Sequence, residues 1–137
     1  MKITTALLLC GQWLLCCSVT QAMTSDLFNQ SEQRSRQKVL RGSITPERAW
    51  WDLSHYHLAI KVDPKNKYIS GTNTMKYRVL SAQKRLQIEL QAPMNITKVT
   101  QNNKELTIEK DGYSYFITTA DNQAIGSEQE IMVHFSG

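Results

Sequence analysis

Apolar and polar residues alternate without a break between Ser54 and Asp63: Tyr56, Leu58, Ile60 and Val62 fall on one side, His55, His57, Ala59 and Lys61 on the other. Successive side chains of an extended chain leave it in opposite directions, so this period of two predicts a β-strand with one buried side. Ile60 is then a core position and Lys61 a surface one. The turn Asp63-Pro-Lys-Asn-Lys ends the strand, and residues 68–80 read as a second long strand. Residues 85–90 follow, with Leu86, Ile88 and Leu90 inward and Gln87 and Glu89 outward, until Ala92-Pro-Met-Asn breaks the pattern. Residues 96–101 form a weaker strand, and Asn102-Asn103-Lys104 turns it into residues 105–110. Asp111-Gly112 carries the strongest hairpin signal, predicting a type I′ turn with both residues at positive φ. Residues 113–118 leave it. A polar loop over 120–129 leads to a last strand over 130–135, in which Ile131, Val133 and Phe135 share a face. About seven short strands at regular spacing with no helical period predict an all-β fold, an antiparallel sandwich or saddle.

The chain ahead of Trp50 has a different texture. Lys2, an apolar run over residues 6–17 and the small-residue ending Thr20-Gln-Ala22 predict a signal peptide over residues 1–22. The run is short and interrupted by Gln12, which argues against a membrane span. A lipid anchor wants a small residue before the modified cysteine, whereas Leu9, Leu15 and Cys16 precede Cys10, Cys16 and Cys17, so it is disfavoured. Residues 23–49 are polar, carry Arg34, Arg36, Lys38 and Arg41, and show no sustained period. They predict an exposed lead-in with a short helix over 33–40, ahead of a β domain over 50–137.

Composition narrows the chemistry. All three cysteines lie in the leader, so the mature chain has no thiol, disulfide or cysteine metal ligand and holds together by packing alone. Removing Lys2 with the leader lowers the formal charge from +4 to +3, too little to imply a polyanionic partner. The basic stretch lacks interleaved aromatics, and nucleic acid is not an expected partner. It reads as a solvated linker, with contact to anionic lipid or glycan the alternative.

The order Trp51-Asp-Leu, Tyr56-His-Leu, Val62-Asp-Pro and Ile69-Ser-Gly-Thr resembles the opening of the aminopeptidase N family of zinc metallopeptidases, over about residues 41–137. The resemblance implies a non-catalytic N-terminal β domain, cut short before its natural end, ahead of a catalytic domain that binds zinc and hydrolyses N-terminal residues from peptides. It implies no catalytic, substrate-binding or metal residue in this chain. Residues confirm the gap: the histidines are followed by Tyr56, Leu58 and Phe135, so there is no H-E-x-x-H, and no Gly-x-Met-Glu-Asn loop occurs. No cofactor is expected here, zinc only for the parent. The expected partners are the catalytic domain of the same polypeptide and, for the parent, peptides, in a periplasmic or secreted setting with no transmembrane segment in the mature chain.

Weaker candidates remain. His55 and His57 stand at i and i+2 on one side of a strand, with His134 a third imidazole elsewhere. Two half-exposed strand histidines are the plainer reading. Glu105 with Glu109, and Glu128 with Glu130, read as solvated, and Ser54 and Ser70 lack a G-x-S-x-G elbow. Asn29 and Asn95 fit the glycosylation acceptor pattern. Trp50 and Trp51, adjacent on a strand, would face opposite ways, one to the core and one to a neighbouring segment or a sugar. An exported β-sandwich module that binds glycan or protein is the alternative function.

Overall fold

The computed structural model describes residues 11–119 and 121–137. Residues 1–10 of the expected leader lie outside them. Two compact units are present, Met1–Lys38 and Val39–Gly137.

Helix α1, Gly11–Gly42, replaces the expected lead-in and its short helix over 33–40. No glycine or proline interrupts Gln12 to Arg41, and Gln, Glu, Arg, Lys and Leu are good helix formers. The helix escapes a reading by periodicity because its described side chains between Asp26 and Arg36 are exposed, leaving no apolar stripe to betray a period. Among the described residues, no helix is long and apolar enough to cross a membrane.

All strand pairings of the second unit are antiparallel. A one-turn helix, α2 (Pro46–Ala49), leads into the strands β1 (Trp51–Asp63), β2 (Tyr68–Val79), β3 (Arg85–Glu89), β4 (Asn95–Gln101), β5 (Lys104–Glu105), β6 (Thr107–Asp111), β7 (Ser114–Thr118) and β8 (Glu128–Ser136). They form a 5-stranded sheet in the order β1-β2-β8-β4-β5 and a 3-stranded sheet in the order β3-β7-β6. The all-β expectation holds, with one strand more because the backbone breaks at Leu106 between β5 and β6. Leu106 is buried and its N–H donates to the Val99 carbonyl.

The core lies between the sheets. Met75, Tyr77 and Val79 from β2, Ile131 and Val133 from β8, and Ile96 and Val99 from β4 meet Leu86, Tyr115 and Ile117 from the smaller sheet, with Trp50 alongside. Burying side chains of this size is worth about 1.5–3 kcal/mol each.

The Asp111-Gly112 turn differs in type from expectation. Asp111 pairs with Ser114, so the loop is Gly112-Tyr113, with positive φ at Gly112 alone. Glycine at the first central position and an ordinary residue at the second make a type II′ turn. The type I′ geometry occurs instead at Asn102-Asn103, with φ of 50 and 62 between the paired Gln101 and Lys104.

The largest departure is β1. Its expected core face is open: Tyr56, Leu58, Ile60 and Val62 are 51%, 54%, 53% and 60% exposed. Alternation decides which side of a strand is apolar, but not whether a second layer reaches it. β1 is a 13-residue edge strand, about 40 Å long at ~3.4 Å per residue, while each strand of the smaller sheet has 5 residues. Gln87 and Glu89 err the other way. Both were expected in solvent, yet Gln87 is 2% exposed, accepting from Thr45 Oγ1 at 2.6 Å and donating to the Leu40 carbonyl at 2.9 Å. Glu89 is half-buried and pairs with Arg48 at 2.6 Å. Residues 40–48 therefore cover the outer side of β3.

Candidate functional site

The open apolar surface is built row by row across β1, β2 and β8. Tyr56, Met75 and Ile131 share one row, Leu58, Asn73 and Val133 the next, Ile60, Gly71 and Phe135 a third. Met75, Ile131 and Val133 are buried, so the same face passes from core on β8 to solvent on β1. Gly71 is required where it stands: a Cβ there would lie 2.1 Å from the Ala59 carbonyl oxygen and 3.1 Å from the tip of the Phe135 ring. Asn73 places a buried Oδ1 without a partner within this surface. Val62 and Ile69 end it, and Asp63 begins the turn, where two hydrogen bonds from Asn66 hold its carboxyl below the usual carboxylate range.

The opposite face of β1 carries His55, His57 and Lys61, all exposed. His134 is on β8, in the row of Thr72 and Ala59. It lies two strands away from β1, with Thr72 of β2 between them. Among the described residues no group of three or more His, Cys, Asp or Glu could hold a metal ion.

The other candidates resolve into packing and surface pairing. Trp50 is not on a strand: it caps α2 with helical backbone, so the two indoles do not diverge. Both meet the Tyr77 ring edge-on, at 6.1 and 5.7 Å between centroids, and their N–H groups donate to the Arg85 and Glu47 carbonyls. Trp50 is buried and Trp51 half-buried. Glu109 holds Arg85 through two hydrogen bonds of 2.8 and 2.9 Å, and Arg85 lies 4.5 Å from the Phe116 ring centre. Glu130 pairs loosely with Lys76 at 3.6 Å, while Glu105 and Glu128 are exposed. Ser54 donates to the Lys76 carbonyl beside the bulge in β1. Asn95 donates to the Pro93 carbonyl and accepts from Lys110 and the Tyr115 hydroxyl, and Asn29 is exposed on α1.

One buried polar cluster had no signal in the sequence. The Tyr77 hydroxyl donates to Gln123 Oε1 at 3.0 Å and accepts from Gln101, while Gln123 donates to Gln101. A loop glutamine and a strand-end glutamine meet a core tyrosine only through the fold. Burial pushes the Tyr77 hydroxyl up, and amides do not titrate, so the cluster offers no acid or base near neutral pH. It satisfies buried polar atoms.

No protein-family model matches the chain. No curated protein matches it either. Solved structures do. An M1 zinc metallopeptidase from Deinococcus radiodurans superposes with a TM-score of 0.57 at 16% identity, over 65% of this chain and 21% of that one. A two-domain M1 zinc metallopeptidase mutant bound to L-arginine gives 0.56 at 17% identity, over 66% and 21%. Native leukotriene A4 hydrolase from Saccharomyces cerevisiae gives 0.51 at 17%, over 63% and 15%. At such identities the likeness is one of fold. This chain spans about a fifth of the length of the metallopeptidases it resembles.

Proposed function

We propose that this chain is the non-catalytic N-terminal β domain of an exported, zinc-dependent aminopeptidase-like protein. The carrying observation is the fold shared with M1 zinc metallopeptidases over about two thirds of the chain, beside the motif order from Trp51-Asp-Leu through Ile69-Ser-Gly-Thr. The zinc ligands, the general base and the substrate loop belong to a catalytic domain elsewhere in the same polypeptide, and zinc is the parent's cofactor. This domain walls one side of the cleft and helps keep folded substrates out. The glycan-binding alternative would rest on Trp51 alone, because Trp50 is buried in the core.

The purified chain is expected to release no chromophore from aminoacyl chromogenic substrates, with or without added zinc. Hydrolysis above blank that disappears on chelation would overturn the assignment of a non-catalytic role. The reading of the parent is tested by the gene: an open frame that continues into H-E-x-x-H supports it, and a frame without that motif removes it.

A further inference from the structure

The backbone of β1 is as informative as its side chains. On β2, Ile69 exchanges both of its hydrogen bonds with Gly137, so its N–H and C=O point toward β8, away from β1. In a regular antiparallel ladder the direction alternates residue by residue. Tyr68, Ser70, Thr72, Thr74 and Lys76 therefore turn toward β1 and bond Asp63, Lys61, Ala59, His57 and His55, their register partners. The N–H and C=O groups of Tyr56, Leu58, Ile60 and Val62 consequently point out of the sheet. These are the residues whose apolar side chains are exposed. Strand edges in proteins are usually guarded by proline, bulges or shortness. Between His55 and Asp63 this one has no proline and no register shift, and Lys61 is its one lysine.

We propose that this edge binds a second copy of the chain, the two β1 strands pairing antiparallel about a two-fold axis at Ala59. The register follows from self-complementarity. With the axis there, Tyr56 stands opposite Val62 and Leu58 opposite Ile60, and these are the residues with outward backbone groups, so each hydrogen-bonded pair is also an apolar pair. On the other face Ala59 meets its own copy, His57 meets Lys61, and His55 lies opposite the Asp63 carboxylate. An axis between residues would set apolar side chains opposite polar ones. Moving it to Leu58 brings Val62 against the bulge at Ser54. Moving it to Ile60 puts Tyr56 opposite Pro64, which has no N–H to give. The pairing joins two 5-stranded sheets edge to edge and runs the two apolar stripes side by side. It goes beyond the proposed function and does not depend on it.

Disulfide trapping in the full chain tests the register, with Cys10, Cys16 and Cys17 replaced by serine. Ala59 faces its copy as a non-hydrogen-bonded pair, where Cα atoms lie about 4.5 Å apart, inside the range a disulfide spans. Ala59→Cys is expected to give a covalent dimer on mild oxidation. Lys61→Cys is two residues along the same face, about 14 Å from its copy in this register, and is expected to give no covalent dimer. Equal trapping at both positions, or none at Ala59→Cys, would overturn the proposal, since association through any other surface treats the two alike. Sedimentation supplies the second arm. The unsubstituted chain is expected at twice the monomer mass and Ile60→Pro at the monomer mass. That substitution removes an outward N–H and no bond to β2, so circular dichroism should be unchanged. A monomeric unsubstituted chain, or a folded Ile60→Pro that remains dimeric, refutes the pairing.

Discussion

Ile60 and Leu86 look alike in the sequence, each an apolar residue in an alternating strand, and the fold separates them. Leu86 is fully buried in the core, where truncation to alanine removes contacts and leaves a cavity, a cost of about 2–5 kcal/mol. Ile60 is 53% exposed, and Ile60→Ala is expected to cost less than about 1 kcal/mol, since water already meets much of the side chain. Urea titrations of both variants, at a concentration where the chain is monomeric, check the contrast. Comparable losses at the two positions would mean that the open face is covered in solution. The tryptophans carry the same lesson. Their spacing predicts divergence, but Trp50 has a φ of −93 and ψ of −4 rather than strand values, and both rings converge on Tyr77.

Among the elements, the two tight turns show how backbone demand selects residues. Gly112 has φ of 61 at the first central position of its turn, and Asn103 has φ of 62. A β-branched side chain at such a φ is strained, and the left-handed region costs an L residue about 1–2 kcal/mol. Gly112→Val is expected to lose at least that much stability, whereas Asn103→Gly should be nearly neutral or slightly favourable, as glycine accepts the same geometry without strain. Thermal melts of the two variants against the parent decide this, and a stable Gly112→Val would show that the hairpin tolerates another turn type. Helix α1 shows the limit of period-based reading. Its described side chains between Asp26 and Arg36 face solvent, so that stretch has no amphipathic signature and only propensity marks it.

At the scale of the whole molecule, the compact β unit begins at Val39 rather than at Trp50. Leu40, Thr45 and Arg48 supply the partners of Gln87 and Glu89 on the outer side of β3. Removing residues 1–38 is therefore expected to leave the cooperative unfolding transition in place. Removing residues 1–49 should weaken it, because a buried amide left without partners costs about 1–3 kcal/mol and the half-buried Glu89 carboxylate loses its ion pair. Denaturation midpoints of the two truncated forms give the answer; equal midpoints would show that residues 40–48 contribute nothing to the fold. The same layer geometry leaves the apolar face of β1 open. A sheet of short strands covers one end of a sheet of long ones, and the remainder of β1 stays available for association.

Strand positions, the antiparallel all-β class and the absence of a zinc-peptidase motif were all legible in the sequence, because alternation, turn residues and H-E-x-x-H are local properties of the chain. The same holds for the order of motifs from Trp51 to Thr72 that resembles the aminopeptidase N opening. Which apolar face would be covered was not legible. Tyr56, Leu58, Ile60 and Val62 alternate as cleanly as Met75, Tyr77 and Val79, yet only the second set lies under another layer. Burial depends on what is opposite in space, and so does the joining of Tyr77, Gln101 and Gln123, which are remote in the chain and adjacent only once the sheets have packed.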